Sequence, residues 1–210
     1  FHTGRGDLYQ SRGNMLTDKY FFWAHGGLTT RADLKTGELT DFGGALDCDR
    51  GCFGAGSIYC GLGTVYRFDP ETLFGTAVDD GGAAQMDPTC SPDRKRMAWV
   101  DFRDPPGTVS SYLGPHIGGE IYVHEFETGS TTRLTFDSPD NPITKSTAAI
   151  GTDVAAWMEP CAACPKNFDG FTEWNASPKA IVRLDLTTMK RCRYEKERTG
   201  GYFAVNGHHL

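Results

Sequence analysis

Short runs in which apolar and polar residues alternate recur along the whole chain. Four such runs occupy residues 28–34, 64–68, 120–126 and 180–186, and a second run follows each of them at 38–42, 75–78, 131–136 and 190–194. Alternation with a period of two residues, bounded by turn residues, is typical of strands with one buried face. The pattern therefore predicts a series of two-stranded hairpins. Because no long stretch shows the 3.6-residue period of a helix, the chain is predicted to be all-β.

The turn of each hairpin carries the same short phrase. An acidic residue is followed three positions later by threonine and four positions later by a turn residue, which is glycine in two of the copies. The threonines are Thr36, Thr72, Thr128 and Thr188. Their mean spacing of about 51 residues is close to the length of a four-stranded propeller blade with loop insertions. The acidic side chain is expected to bond to the turn amides, and the glycine to adopt a positive φ.

An apolar run precedes three of the hairpins. The runs are Tyr20–Trp23, Met97–Val100 and Val154–Trp157, and residues 57–60 form a shortened version before the remaining hairpin. A strand that is apolar on both faces suits the middle of a blade, where neighbouring sheets cover it. Trp23, Trp99 and Trp157 are therefore all expected in the core.

These elements predict one β-propeller domain, or a propeller fragment, built from four-stranded antiparallel blades. About four blades are visible, together with the start of another. The approximate repeats are residues 12–45, 46–84, 85–137 and 138–196, and residues 197–210 are the start of the further blade. Ring closure hides the edge strands of a propeller, so either residues 4–11 or sequence beyond this chain is expected to complete the ring.

Two segments resemble the repeats of TolB-type, or WD40-like (PD40), β-propellers. Residues Ser91–Trp99, with the sequence SPDRKRMAW, are similar to the repeat phrase SPDGxxIAF. Residues 120–135, EIYVHEFETGSTTRLT, are similar to the strand pair xIYVxDxxTGxxxRLT of the same family. The chain departs from the family where Arg94, Leu73 and Met189 stand in place of turn glycines. The resemblance implies the propeller fold, and as functions it implies protein binding, a peptidase cap or a glycan-active site.

The charge and the termini restrict the functional class. With 210 residues and a formal net charge of −6, the chain lacks the basic face that binds nucleic acid phosphates, and no nucleic acid partner is expected. No run approaches the roughly 18 apolar residues that span a bilayer, so no membrane-spanning segment is expected. The N-terminus shows neither a signal peptide nor a methionine, which predicts a processed chain.

The cysteine content predicts an extracellular or periplasmic location, because seven cysteines are a high number for a cytosolic protein of this size. Two close pairs, Cys48/Cys52 and Cys161/Cys164, lie in loops rich in glycine, proline and aspartate, and they are predicted to form structural disulfides. Zinc bound by these same cysteines is the alternative. The odd total leaves either one free thiol or one partner outside the chain.

Two further groups are candidate binding residues. Asp47 and Asp49 precede a glycine and match the beginning of a calcium-loop pattern, but the later acidic ligand is missing. No cofactor is therefore predicted, and calcium is kept as the alternative. Phe168, Phe171 and Trp174 cluster in a polar insertion. They are expected either to form a contact surface for a partner or to fold over the edge of a blade.

The leading functional hypothesis is a non-catalytic extracytoplasmic β-propeller that binds another protein or assembles with copies of itself. The sequence contains no nucleophile elbow, phosphate loop or dinucleotide fingerprint, so no catalytic residue is predicted. One alternative is an enzyme role, either as a glycan-active lyase or hydrolase or as the propeller cap of a peptidase. The other is a zinc-stabilised scaffold.

Overall fold

A computed structural model describes residues 15–25, 28–43, 51–61, 63–79, 84–103, 108–109, 116–138, 143–160 and 178–199. The regular structure in these ranges is β-strand, and four antiparallel four-stranded sheets contain most of it. The all-β prediction is confirmed for this part of the chain. None of these ranges contains a helix that could cross a membrane.

The strands follow one another within each sheet in chain order. Sheet 1 contains β1 (Met15–Leu16), β2 (Tyr20–His25), β3 (Leu28–Asp33) and β4 (Leu39–Gly43). Sheet 2 contains β5 (Gly51–Gly54), β6 (Ser57–Gly61), β7 (Val65–Phe68) and β8 (Gly75–Ala77). Sheet 3 begins with β9 (Gln85–Cys90) and β10 (Arg96–Asp101), and a ribbon of β11 (Thr108–Val109) and β12 (His116–Ile117) then precedes β13 (Glu120–Glu125) and β14 (Thr131–Arg133). Sheet 4 contains β15 (Ser146–Ile150), β16 (Val154–Pro160), β17 (Pro178–Asp185) and β18 (Arg191–Thr199).

The last strand of sheet 4 is longer than the sequence predicted. β18 continues to Thr199, past residue 196, where the fourth repeat was expected to end. Residues 197–199 therefore belong to sheet 4 rather than to a further blade. The rest of that predicted blade, residues 200–210, lies outside the described residues.

The four sheets are arranged around a common axis. The first strands of successive sheets lie beside each other, β1 next to β5, β5 next to β9, and β9 next to β15. Each fourth strand pairs with the third strand of its own sheet. The first strands are therefore innermost and the fourth strands outermost, which is the arrangement of blades in a β-propeller.

Buried apolar side chains fill the spaces between successive sheets. Phe22 of sheet 1 packs with Ile58 of sheet 2, and Trp99 of sheet 3 packs on the other side of sheet 2. Val100 of sheet 3 and Trp157 of sheet 4 belong to the cluster between the last two sheets. Because successive residues of a strand point to opposite faces, each apolar middle strand contributes to the contact on both sides of its sheet.

The four threonines predicted at hairpin tips occupy equivalent turns between the third and fourth strands. Asp33, Asp69 and Asp185 each accept hydrogen bonds from two main-chain N–H groups of the turn. These bonds hold the pKa of each carboxyl below its usual value. In sheet 3 the equivalent Glu125 instead pairs with Arg96, with 2.6 Å between Oε1 and Nε. The predicted hairpins are confirmed, and three of them have the expected acidic bond.

Three residues that replace turn glycines keep the left-handed backbone conformation. The φ angle is 55° at Leu73, 57° at Met189 and 59° at Arg94. For an L-residue this conformation costs about 1–2 kcal/mol. Leu73 is 6% exposed and packs between sheets 1 and 2, whereas Met189 is 56% exposed. Packing therefore offsets the strain at Leu73 and does not offset it at Met189.

Candidate functional site

The second strand of each sheet places one side chain at the same position, facing the preceding sheet. These side chains are Trp23, Cys60, Trp99 and Trp157. Each pairs across the strands with the residue that lies three positions before the acidic residue of the hairpin turn. Cys60 packs against sheet 1, Trp99 against sheet 2 and Trp157 against sheet 3, and all three are buried. No preceding sheet covers Trp23 among the described residues, and its side chain is half-buried. The prediction that Trp23 lies in the core is therefore wrong.

Large apolar side chains lie on all four strands of the face of sheet 1 that carries Trp23. We call it the open face and define it by Leu16, Phe21, Trp23, Leu28 and Leu39, which lie opposite the face that packs on sheet 2. Leu16 is 63% exposed, Leu28 42% and Leu39 62%. The rings of Phe21 and Trp23 stack with their centroids 5.7 Å apart. Contiguous exposed apolar patches of this kind are common at protein interaction sites.

The polar side chains of the open face are paired with each other. Asp41 of β4 is the charged side chain described on this face, and its Oδ1 accepts a hydrogen bond from Thr30 Oγ1 at 2.7 Å. Thr30 is 7% exposed. Thr30 is also the cross-strand partner of Trp23, so the polar pair lies directly beside the indole.

A network of buried polar side chains joins sheets 2 and 3 at one face of the molecule. We call this face the lower face. The first strand of each sheet begins there, and the second strand ends there. Gln85 accepts a hydrogen bond from Val65 N at 2.7 Å and donates one to Asp101 Oδ2 at 3.1 Å. Asp101 also accepts from Trp99 Nε1 at 3.0 Å. Its carboxylate pairs with Arg103 and raises the pKa of that guanidinium.

A second network, also on the lower face, joins sheet 3 to the segment that leads into sheet 4. Lys145 is 2% exposed, and its Nζ lies 3.3 Å from Glu120 Oε2. The same ammonium pairs with Asp137 and donates to the main-chain oxygens of Gly119 at 3.1 Å and Ile143 at 3.2 Å. Four oxygen atoms therefore surround one fully buried charge.

Glu159 of sheet 4 occupies the place that Asp101 occupies in sheet 3. Its side chain is fully buried, accepts a hydrogen bond from Trp157 Nε1 at 2.8 Å, and pairs with Arg191 and Arg193. The carboxylates of Asp101, Glu120 and Glu159 are thus all buried and all paired with cationic side chains. A general acid or base must reach its substrate. Asp101 and Glu120 connect sheet 3 with its neighbours, whereas the described partners of Glu159 lie in sheet 4.

Sequence analysis missed these networks, although it contained a signal for two of their members. Trp99 stands two residues before Asp101, and Trp157 two residues before Glu159. The structure shows the same indole-to-carboxylate hydrogen bond in both sheets. An acidic residue two positions after the tryptophan of an apolar strand therefore indicated a buried hydrogen bond between the two side chains.

One disulfide joins the innermost strands of sheets 2 and 3. It links Cys52 of β5 to Cys90 of β9. The predicted pairing of Cys52 with Cys48 is therefore wrong, and a zinc site that uses Cys52 is not compatible with this disulfide. Cys60 is bonded to a cysteine outside the described residues, and Cys192 is a free, half-buried thiol. The sequence could not show which cysteines meet, because the bonded pair is 38 residues apart.

The other predicted site residues lie outside the described part of the chain. They are Asp47, Cys48, Asp49, Cys161, Cys164, Phe168, Phe171 and Trp174. Their roles in disulfide, calcium or partner binding stay predictions. Among the residues that the structure describes, no group of three or more His, Cys, Asp or Glu side chains is placed to hold a metal ion.

Comparison with known proteins adds to this geometry at the level of the fold. No protein-family model and no curated protein matches the chain. The structure of TolB from Acinetobacter baumannii matches with a TM-score of 0.54 and 15% identity, over 86% of this chain and 42% of that chain. The chain has the fold of a TolB-type β-propeller. The tricorn protease matches this propeller with a TM-score of 0.59 and 12% identity, over 86% of this chain and 22% of that chain.

A third solved structure leads to the same conclusion. Dipeptidyl peptidase 4 from Porphyromonas gingivalis matches the propeller with a TM-score of 0.51 and 12% identity, over 94% of this chain and 35% of that chain. The propeller spans less than half the length of each of these three structures. At such identities the similarity shows a shared fold and assigns no activity.

Proposed function

We propose that the chain is a non-catalytic, extracytoplasmic β-propeller segment that binds another protein, or another copy of itself, through the open face. The observation that carries this proposal is the exposure of Leu16 and Leu39 beside a half-buried Trp23. The positions equivalent to Trp23 in the other sheets, Cys60, Trp99 and Trp157, are buried by a neighbouring sheet. Among the described residues, no further sheet lies against the open face.

The buried carboxylates support a non-catalytic role over a glycan-active one. Glycoside chemistry uses two carboxyl groups on either side of a bound sugar. Asp101, Glu120 and Glu159 have no exposed side-chain surface, and arginine or lysine occupies the space beside each of them. A sugar could reach them only after these ion pairs had separated.

The disulfides support the proposed location. The Cys52–Cys90 bond joins the innermost strands of two sheets, and Cys60 is also oxidised. Structural disulfides form and persist in secreted and periplasmic proteins, where the compartment is oxidising. We therefore propose that the chain functions outside the cytoplasm.

The test is affinity capture from a cell-envelope and secreted extract of the source organism, with the purified chain as bait. Leu39→Lys places a charge on the open face, and Phe74→Lys is the matched control because Phe74 is an exposed apolar residue of sheet 2. We expect the wild type and the Phe74→Lys variant to retain the same protein, and the Leu39→Lys variant to lose it. Retention that is equal in all three, or turnover of a polysaccharide or peptide by the purified chain, would contradict the proposal.

A further inference from the structure

We propose that Cys60 forms its disulfide with Cys48, so that a second bond fixes the segment that leads from sheet 1 into sheet 2. Cys60 is disulfide-bonded, and its partner lies outside the described residues. Cys52 and Cys90 are bonded to each other, and Cys192 is a free thiol. The cysteines left as partners are Cys48, Cys161 and Cys164.

The sulfur of Cys60 lies over the strand that the Cys48 segment enters. Cys60 of β6 pairs in register with Gly51 of β5, and its Sγ lies 3.2 Å from the place that a Cβ on Gly51 would occupy. Register partners in antiparallel strands have their Cα atoms about 4.5–5.5 Å apart. Cys48 lies three residues before Gly51, and three residues span at most about 11 Å. A turn before β5 therefore brings Cys48 within the roughly 4.4–6.8 Å that a disulfide requires between Cα atoms.

The other two cysteines start from the far side of sheet 3. Cys60 is 3% exposed and packs against sheet 1 beside Phe22. Cys161 follows Pro160, the last residue of β16, and sheet 3 lies between sheet 2 and the sheet that contains β16. Packed sheets are about 10 Å apart, so Pro160 lies roughly 20 Å from β6. Cys164 reaches at most about 14 Å from Pro160 along the chain, and it would also have to pass sheet 2 to meet a sulfur on its opposite face.

All seven cysteines have a consistent state once Cys48 is bonded to Cys60. Cys161 and Cys164 remain, with two residues between them, and they form the close pair that the sequence predicts. The odd cysteine is Cys192, the free thiol. If Cys60 were instead bonded to Cys161 or Cys164, Cys48 and the other member of that close pair would be left in distant segments of the chain.

The Cys48–Cys60 bond forms by thiol–disulfide exchange with a disulfide oxidant. Each of the two thiols loses one proton and one electron, and the disulfide of the oxidant is reduced to two thiols. Cys60 belongs to the contact with sheet 1, whereas Cys52 belongs to the contact with sheet 3. The two bonds therefore hold sheet 2 from both of its faces, one to the segment that follows sheet 1 and one to the first strand of sheet 3.

Disulfide mapping of the wild-type full chain tests the inference. The chain is refolded with oxidised glutathione, its free thiols are blocked with N-ethylmaleimide at low pH, and the monomer is taken from a non-reducing gel. Trypsin cleaves after Arg50 and chymotrypsin after Tyr59, which places Cys48, Cys52 and Cys60 in separate peptides. We expect a species in which the peptide of Cys48 is joined to the peptide of Cys60. The peptide that contains both Cys161 and Cys164 should be lighter than its reduced form by two hydrogen atoms.

Single serine variants supply a matched pair, because each removes one predicted bond. Labelling with a maleimide in denaturant should give one labelled thiol in the wild type and two in both Cys48→Ser and Cys161→Ser. The second labelled thiol should be Cys60 in Cys48→Ser and Cys164 in Cys161→Ser.

Three results would overturn the inference. They are a linked peptide that joins Cys60 to Cys161 or Cys164, labelling of Cys60 in the wild type, and a Cys48→Ser variant in which Cys60 stays blocked. Since the open face takes no part in these measurements, they leave the proposed function to its own test.

Discussion

Replacing Lys145 with methionine would remove one positive charge from the buried contact between sheet 3 and the segment that leads into sheet 4. The substitution would leave the carboxylate of Asp137 and the main-chain oxygen of Gly119 without the donor that Lys145 supplies. Arg133 would still hold Glu120, with 3.0 Å between Nη2 and Oε1. The loss therefore falls mainly on Asp137 and on the two main-chain oxygens.

The expected cost is large for a single substitution. Breaking a buried ion pair from one side typically costs about 3–5 kcal/mol, because it leaves a buried charge without a partner. Each buried acceptor that loses its donor costs about 1–3 kcal/mol, and for three acceptors this range overlaps the ion-pair figure at its lower end. We expect Lys145→Met to lower the free energy of unfolding by about 3–5 kcal/mol.

Urea unfolding of the full chain measures this effect, and Lys19→Met is the matched control. Lys19 pairs with Glu71 at 3.1 Å, but the two side chains are 70% and 47% exposed. Exposed pairs of this kind contribute little to stability, because water and salt screen the two charges. If Lys145→Met costs no more than Lys19→Met, the reasoning about the buried ammonium is refuted. Adding Asp137→Asn to Lys145→Met should recover part of the loss, because it removes the stranded charge.

Three further outcomes follow from the structure. Met189→Gly should raise the free energy of unfolding by about 0.5–1 kcal/mol in urea titrations because it relieves a positive φ, whereas Leu73→Gly should lower it by about 2–4 kcal/mol because it also empties a packed site. Burial lowers the pKa of His124 below its usual 6.5, so its contribution to stability is complete above pH 6.5 and is lost as the pH falls below that value. His124→Gln should flatten this part of a plot of melting temperature against pH, and an unchanged slope would refute the assignment. Removing the Cys52–Cys90 bond by double alanine substitution should lower the free energy of unfolding by about 2–4 kcal/mol, and an unchanged urea midpoint would show that the bond does not restrain the two sheets.

The fold was predictable because its signals are local. Period-two alternation marks individual strands, and the acid-to-threonine spacing marks each turn, so Asp33 and its equivalents could be placed without any long-range contact. The resemblance in residues 120–135 strengthened the same assignment. The turns without glycine at Leu73 and Met189 did not disrupt the pattern, because the rest of each hairpin holds the left-handed conformation in place.

The open face was not predictable by the same route. The sequence around Trp23 looks like that around Trp99, and both patterns indicate a strand that is apolar on two faces. Burial depends on whether another sheet lies alongside, and that is a property of the assembled fold. Within the described ranges, no sheet precedes the one that carries Trp23. The Cys52–Cys90 bond was missed for a similar reason, since its two strands meet only when the sheets stack.

The central claim is that equivalent side chains of successive sheets face the preceding sheet and that the first of them is left open. The most direct test is fluorine NMR of the chain labelled with 5-fluorotryptophan, in a sample dilute enough to be monomeric, with a soluble paramagnetic agent added. Single tryptophan-to-phenylalanine substitutions assign the resonances. We predict that the agent broadens the resonance of Trp23 and leaves those of Trp99 and Trp157 sharp. Equal protection of all three, or broadening of Trp99 or Trp157, would contradict the account.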